Sequence, residues 1–121
     1  MPRSLLVVDD DPDFRDLAAR VLADWGHVVI GHAGTVAEAL ARAAELHPDA
    51  ALVDIGLPDG DGFALTRELV RLPWTVRVVL ISADADPRHT RSAHRAGALG
   101  FVAKDAVAEP ELRRLLEDAV R

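Results

Sequence analysis

A chain of 121 residues has room for one domain and not for two, and its 50% hydrophobic content is enough for an ordinary core, which excludes a disordered tail or a disulfide-stapled miniprotein. Fourteen basic residues against twenty acidic ones leave a net charge of −6, the wrong sign for a domain that binds nucleic acid directly, and the lack of cysteine removes disulfides, thiolate metal sites and redox motifs. No apolar run approaches the roughly 18 residues of a membrane span, and Met1 to Val8 lacks the long apolar stretch of a signal peptide, so a cytoplasmic protein without membrane contact is expected.

Leu5 to Val8 is a short apolar run that ends in Asp9, Asp10 and Asp11. Pro12 opens a helix with Phe14, Leu17, Ala18, Val21, Leu22 and Trp25 at helical spacing, with Asp11 as its N-cap and Gly26 as its stop. His27 to Gly31 is a second strand. Thr35 and Glu38 have the spacing of a capping box, and the helix they open ends before Pro48. Ala50 to Val53 is a third buried run, followed by a turn-rich segment from Gly56 to Gly62 and a helix from about Phe63 to Arg71. Val76 to Ile81 is the fourth strand, Asp86 and Pro87 cap a helix that stops near Gly97, Leu99 to Val102 is the fifth strand, and Pro110 to Val120 is the last helix.

Strands apolar on both faces, separated by helices of about ten residues, imply an α/β fold with a parallel sheet covered on both sides. Right-handed crossovers put every strand's carboxyl end on one edge, and the usual five-strand doubly wound order, 2-1-3-4-5, places a ligand above strands one and three. On that edge stand Asp9 and Asp10 after the first strand, Asp54 after the third, Ser82 after the fourth and Lys104 after the fifth. Lys104 is the single lysine beside thirteen arginines, which hints at a position that needs a compact ammonium. Hard oxygen ligands in this number suit Mg²⁺.

Each residue also has a plainer use. Asp11 is a helix cap, Asp54 alone would be a solvated turn acid, and Ser82 alone a turn serine. Arg88, His89, Arg91, His94 and Arg95 make the fourth helix basic, either as a solvated face or as a partner surface. A calcium loop begun at Asp9 would need glycine and glutamate where Phe14 and Arg20 stand, and Gly60 and Gly62 lack the third glycine of a dinucleotide loop.

Four segments together resemble the receiver domain of response regulators: Asp9 with Asp10, Asp54 with the following Leu57, Pro58 and Gly62, Ile81 to Ala83, and Phe101 to Lys104. The likeness runs from Arg3 to Val120 and makes residues 1–121 a single receiver domain with a (βα)5, flavodoxin-like or CheY-like fold. It implies a two-component phosphorelay in which Asp54 takes a phosphoryl group from a sensor histidine kinase or a phosphotransfer protein. Mg²⁺, with Mn²⁺ as a substitute, would be held by Asp10, Asp54 and the main-chain carbonyl of Gly56, with Asp9 assisting through water. Ser82 and Lys104 would bind phosphoryl oxygens, Phe101 would be the rotating aromatic of a switch, and Gly56 and Asp84 would flank the path of the hydrolytic water.

The face built from the fourth helix, fifth strand and fifth helix would then meet an output domain, a target protein or, on phosphorylation, a second copy. The resemblance thus implies a signalling module that speeds its own modification and hydrolysis rather than a turnover enzyme. Asp105 stands where many receivers carry proline, while Ser82 for threonine and Phe101 for tyrosine are common variants. A rival reading is a haloacid-dehalogenase-like phosphohydrolase with Asp9 as nucleophile, although Asp13 stands where that family places threonine or valine. Another is a degenerate receiver that binds partners without phosphorylation.

Overall fold

Leu5 to Val8 are fully buried and make up most of the first strand, β1 (Ser4–Val8), in a computed structural model that describes residues 3–118. The chain continues through α1 (Pro12–Asp24), β2 (Val28–Ala33), α2 (Val36–Leu46) and β3 (Ala50–Asp54). Two-residue strands β4 (Gly56–Leu57) and β5 (Gly60–Asp61) then form a small antiparallel ribbon before α3 (Gly62–Leu69). The rest is β6 (Arg77–Ser82), α4 (Arg88–Ala96), β7 (Gly100–Ala103), a 3₁₀ turn at Lys104–Ala106 and α5 (Pro110–Asp118).

The main sheet is parallel with order β2-β1-β3-β6-β7, which is the expected 2-1-3-4-5 arrangement once the small ribbon is set aside. Alternate residues of its strands point to opposite faces. Leu6, Val8, Ala51, Val53, Val78 and Leu80 meet Ala39, Ala43, Leu65, Leu69 and Ala93 from α2, α3 and α4. Leu5, Val7, Leu52, Val79 and Ile81 meet Phe14, Ala18, Leu22, Leu112 and Leu116 from α1 and α5. Each fully buried leucine or valine contributes about 1.5–3 kcal/mol of apolar transfer free energy, so this two-sided core fixes the register of the strands and hence of the residues that follow them.

Local chemistry sets the helix ends. Asp11 accepts the N–H of Asp13 at 2.9 Å with Pro12 at the first helical position, as expected for the start of α1. Thr35 Oγ1 accepts the N–H of Glu38 at 3.0 Å, but Glu38 Oε1 reaches past the cap to the N–H of Gly34 at 3.0 Å instead of closing a reciprocal box on Thr35. Asp86 Oδ1 accepts the N–H of Arg88 at 2.9 Å, and Gly97, at φ 99, ends α4 in the left-handed conformation that glycine adopts freely.

Several expected boundaries move, those of the fourth and fifth strands by one residue each, from Val76–Ile81 and Leu99–Val102 to Arg77–Ser82 and Gly100–Ala103. The second strand begins and ends later than His27 to Gly31, because His27 Nδ1 accepts the N–H of Arg3 at 3.2 Å and the pairing with β1 carries on through Ala33 across an irregularity between Leu5 and Leu6. The third helix starts at Gly62, with Asp61 as its N-cap accepting the N–H of Ala64, and stops at Leu69 rather than Arg71. The last helix was expected to reach Val120, and its final residues lie outside those described. No helix among the described residues is long and apolar enough to cross a membrane.

Candidate functional site

The acidic end of β1 is fixed by the main chain. Asp9 donates its N–H to the carbonyl of Ala33 at 2.9 Å, is fully buried, and accepts the N–H of Asp11 on Oδ1 at 2.9 Å. Arg15, one turn into α1, donates from Nη1 to the Asp9 carbonyl at 2.7 Å and so holds the loop from outside. Asp10 follows and is exposed.

Asp54 is the last residue of β3 and only 6% exposed. Its Oδ1 accepts the N–H of Gly56 at 3.3 Å. The backbone closes tightly behind it, since Gly62 donates to the carbonyl of Ile55 at 2.7 Å and a Cβ at position 62 would lie 2.4 Å from the Asp54 carbonyl oxygen. Only glycine fits there without moving the end of β3. At Gly56, by contrast, a Cβ would meet nothing within 4 Å, so that side of the site is open.

Lys104 arrives from the end of β7. Its Nζ lies 3.2 Å from Asp54 Oδ2, as a hydrogen bond, and 2.6 Å from Asp9 Oδ2, as an ion pair. The ammonium also stands 5.0 Å from the centre of the Phe14 ring, whose face favours a cation. Carboxylate oxygens of Asp9, Asp10 and Asp54 lie within 4.8 Å of one another, two of these residues being buried and one exposed. Three carboxylates lie together and one ammonium pairs with two of them, so negative charge is in excess.

That excess acts on Asp54. Burial first, and then the neighbouring charge of Asp9, push its carboxyl above the usual aspartate range, against the opposing pull of Lys104 and the Gly56 N–H. Burial works against the charged form of Lys104, but the two carboxylates outweigh it and hold the ammonium above the ordinary lysine value. A small hard cation that prefers oxygen ligands and retains water fits this donor set, because one face is walled by buried carboxylates and the other opens at Asp10 and Gly56.

Ser82 ends β6, one residue beyond the Ile81 that pairs with Asp54. Its Oγ accepts the N–H of Asp84 at 3.0 Å, which leaves the hydroxyl hydrogen free to donate elsewhere. Asp84 is exposed, and its Oδ2 lies 3.8 Å from His89 Nε2. The half-buried Phe101 ring packs 5.2 Å from the His89 ring, whose other neighbour is Phe63 at 6.1 Å. The structure therefore brings Asp9, Asp10, Asp54 and Lys104 into one cluster, with Gly56 touching Asp54. Ser82 ends the adjoining strand β6, Asp84 lies in the loop that follows it, and Phe101 lies within β7.

Phe14, Arg15 and His89 also shape the site. In the sequence Phe14 reads as one more apolar position of an amphipathic helix, and nothing local marks Arg15 as reaching back to the Asp9 carbonyl. Only the i to i+6 spacing from Asp9 to Arg15, across a capped first turn, carries a trace of that contact.

The sequence profile described as the response regulator receiver domain matches residues 5–117. The DNA-binding transcriptional activator DevR/DosR of Mycobacterium tuberculosis is 36% identical over 118 residues, covering 98% of this chain and 54% of that protein. The response regulator GacA of Pseudomonas viridiflava is 39% identical over 104 residues, covering 84% of this chain and 48% of that protein. This chain thus spans about half the length of the curated relatives it matches. Among solved structures, the signal receiver domain of NarL from Mycobacterium tuberculosis superimposes with a TM-score of 0.83 at 32% identity, covering 96% of this chain and 98% of that one.

Proposed function

The chain belongs to the response regulator receiver domain family, a family of two-component signalling domains, and from that premise we propose that Asp54 accepts a phosphoryl group and that the modification switches a surface on the far side of β7. The observation that carries this reading is the position of Asp54 at the end of β3, beside the Asp9 and Asp10 carboxylates and within 3.2 Å of Lys104 Nζ.

An aspartate is a weak nucleophile, so most of the rate must come from positioning and charge. Gly56 N–H and Lys104 fix the two Asp54 oxygens. As an oxygen of Asp54 bonds to phosphorus, the phosphorus–nitrogen bond of a phosphohistidine donor breaks and the released imidazole nitrogen regains its lone pair. Lys104 and the free hydroxyl hydrogen of Ser82 meet the oxygens of the arriving group. Asp10, Asp54 and the Gly56 carbonyl would hold Mg²⁺ or Mn²⁺, with Asp9 acting through water, and the cation would neutralise the transferring charge. Hydrolysis later reverses the modification, and the open side at Gly56 together with Asp84 controls the approach of water.

The donor would be a sensor histidine kinase or a phosphotransfer protein in the cytoplasm, and the readout an output domain, a target or a second copy on the face of α4, β7 and α5. Phosphorylation adds charge and acceptor oxygens that draw the Ser82 loop inward. Phe101, now half-buried against His89, then turns into the vacated space. Such a population shift needs a preference of only a few kcal/mol.

Incubation with Mg²⁺ and a small acyl phosphate, followed by mass mapping, should place the phosphoryl group on Asp54 alone. Modification at full yield in Asp54→Ala would overturn the assignment. Ser82→Ala should accept phosphate while amide shifts across residues 83–105 weaken, and Phe101→Ala should uncouple that face with Asp54 chemistry nearly intact.

A further inference from the structure

We propose that Asp59 is a positioning residue of this site, tethering the loop that carries Gly56 to the first turn of α2; the inference rests on the metal-dependent reading above. Asp59 lies in the turn of the β4–β5 ribbon, far in sequence from α2. Its Oδ1 accepts the N–H of Val36 at 2.7 Å, and its Oδ2 accepts the N–H of Ala37 at 3.1 Å. These are the first two amides of the helix, which have no intrahelical partner, and the third, that of Glu38, is taken by Thr35. The opening turn of α2 is thus satisfied by two residues, one local and one remote.

Charge favours the same arrangement. The N-terminal end of a helix carries partial positive charge, and the two N–H bonds hold the Asp59 carboxyl below the usual carboxylate range, so the tether persists across neutral pH. The ribbon lies flush on the helix beside it, where a Cβ at Gly60 would sit 3.1 Å from Val36 Cγ2.

The other side of the same turn faces the acidic pair. A Cβ at Gly34 would lie 3.7 Å from the Asp10 Cα and 3.3 Å from Arg15 Nη1, the group that holds the Asp9 carbonyl. The link between β2 and α2 is therefore a strut. Gly34 in that link stands close against the Asp9–Asp10 loop, and the first two amides of α2, just after it, hold the Gly56 loop through Asp59. The base of this ribbon is pinned by the bond from Gly62 to the Ile55 carbonyl, but two-residue strands do little to steady its tip, and there Asp59 lets α2 add to the hold on the spacing between Asp10 and the Gly56 carbonyl.

Mg²⁺ binding by calorimetry on wild type, Asp59→Ala, Asp59→Asn and Thr35→Ala tests this. Asp59→Ala should weaken binding about tenfold, as loss of an outer-shell partner does elsewhere, and Asp59→Asn, which keeps one acceptor oxygen, should fall between. Thr35→Ala loses the local cap of α2 but keeps the tether, and should bind as wild type does. The deficit of Asp59→Ala should hold as NaCl is raised, whereas the bare loss of a surface charge would be screened away. The amides of Val36 and Ala37 should shift on adding Mg²⁺ to wild type and stay still in Asp59→Ala. Binding by Asp59→Ala within twofold of wild type, or an equal loss in Thr35→Ala, overturns the proposal while leaving the site reading intact. A wild type that takes no Mg²⁺ overturns both.

Discussion

Two aspartates bracket β3, and their surroundings are opposite. Asp49, just before the strand, is exposed and closed into a reciprocal arrangement: its Oδ2 accepts the N–H of Ser4 at 3.0 Å, while its own N–H reaches Ser4 Oγ at 3.0 Å and Ser4 O at 2.9 Å. Its carbonyl accepts the N–H of Arg77 at 3.0 Å, so one residue joins the starts of three neighbouring strands. Asp54, five residues on, is buried beside a second carboxylate and shares one ammonium with it. The sheet edge at Asp49 has its polar groups closed on one another, and the edge at Asp54 gathers carboxylates in excess of their counter-charge. Balanced and unbalanced charge are thereby separated along a single strand.

Removing the shared cation should widen that contrast most. Lys104→Ala leaves Asp9 and Asp54 buried and unpaired, and breaking a buried pair from one side costs about 3 kcal/mol, so the melting temperature without metal should fall by roughly 10 °C. An unchanged melting curve would mean that the acidic edge is not strained. Mg²⁺ should act in the opposite sense, stabilising wild type by roughly 2.7 kcal/mol at 100 times its dissociation constant. No response to millimolar Mg²⁺ would remove the unbalanced charge from the account.

Substitutions at the two aspartates should have opposite signs. Asp49→Ala loses a hydrogen bond at an exposed position and should destabilise by about 1 kcal/mol. Asp54→Asn removes a carboxylate whose folded pKa is raised, so it should raise the melting temperature of the metal-free protein at pH 7. Wild-type Asp54 is best tolerated when protonated, so this advantage of asparagine should vanish as pH falls below about 4, the ordinary aspartate value. Equal signs at the two positions would break the comparison.

The smallest effect should come from His27, at the same edge as Asp49. Burial, opposed by Glu117 and reinforced by Arg3, pulls its imidazole below the ordinary value, and Nδ1 accepts the Arg3 N–H while Nε2 lies 3.6 Å from Glu117 Oε2. A base with a lowered folded pKa is protonated first in the unfolded chain, so stability should decline slightly as pH falls from about 7 to 5. His27→Asn, which keeps an acceptor for Arg3, should flatten that slope. Acidification would then stress one edge of the sheet before it relieves the other.

The residues at strand ends were legible because topology alone brings them together. Asp9, Asp54, Ser82 and Lys104 each follow an apolar run, and a doubly wound sheet places all such positions on one edge. Boundaries were legible where a side chain acts within its own turn, as Asp11 and Thr35 do, and less so where a remote partner intervenes. Gly31 reads as a strand end, yet it is a mid-strand residue whose missing side chain makes room for Leu46, since a Cβ there would lie 2.7 Å from Leu46 Cδ1. The contacts of Phe14 with Lys104, Arg15 with the Asp9 carbonyl and Asp59 with α2 were not legible for the same reason. Each depends on how two elements lean together in space, which periodicity does not encode.

Lys104 lies 50 residues after Asp54 in the chain. At a synthesis rate of about 5–20 residues per second, Asp54 precedes that ammonium out of the ribosome by roughly 3–10 s. During that interval the growing polypeptide contains the aspartate without the strand that completes its pocket. The nascent chain therefore carries the Asp9 and Asp54 carboxylates without their shared counter-charge until β7 is made, so the acidic edge is balanced only when that strand joins the sheet.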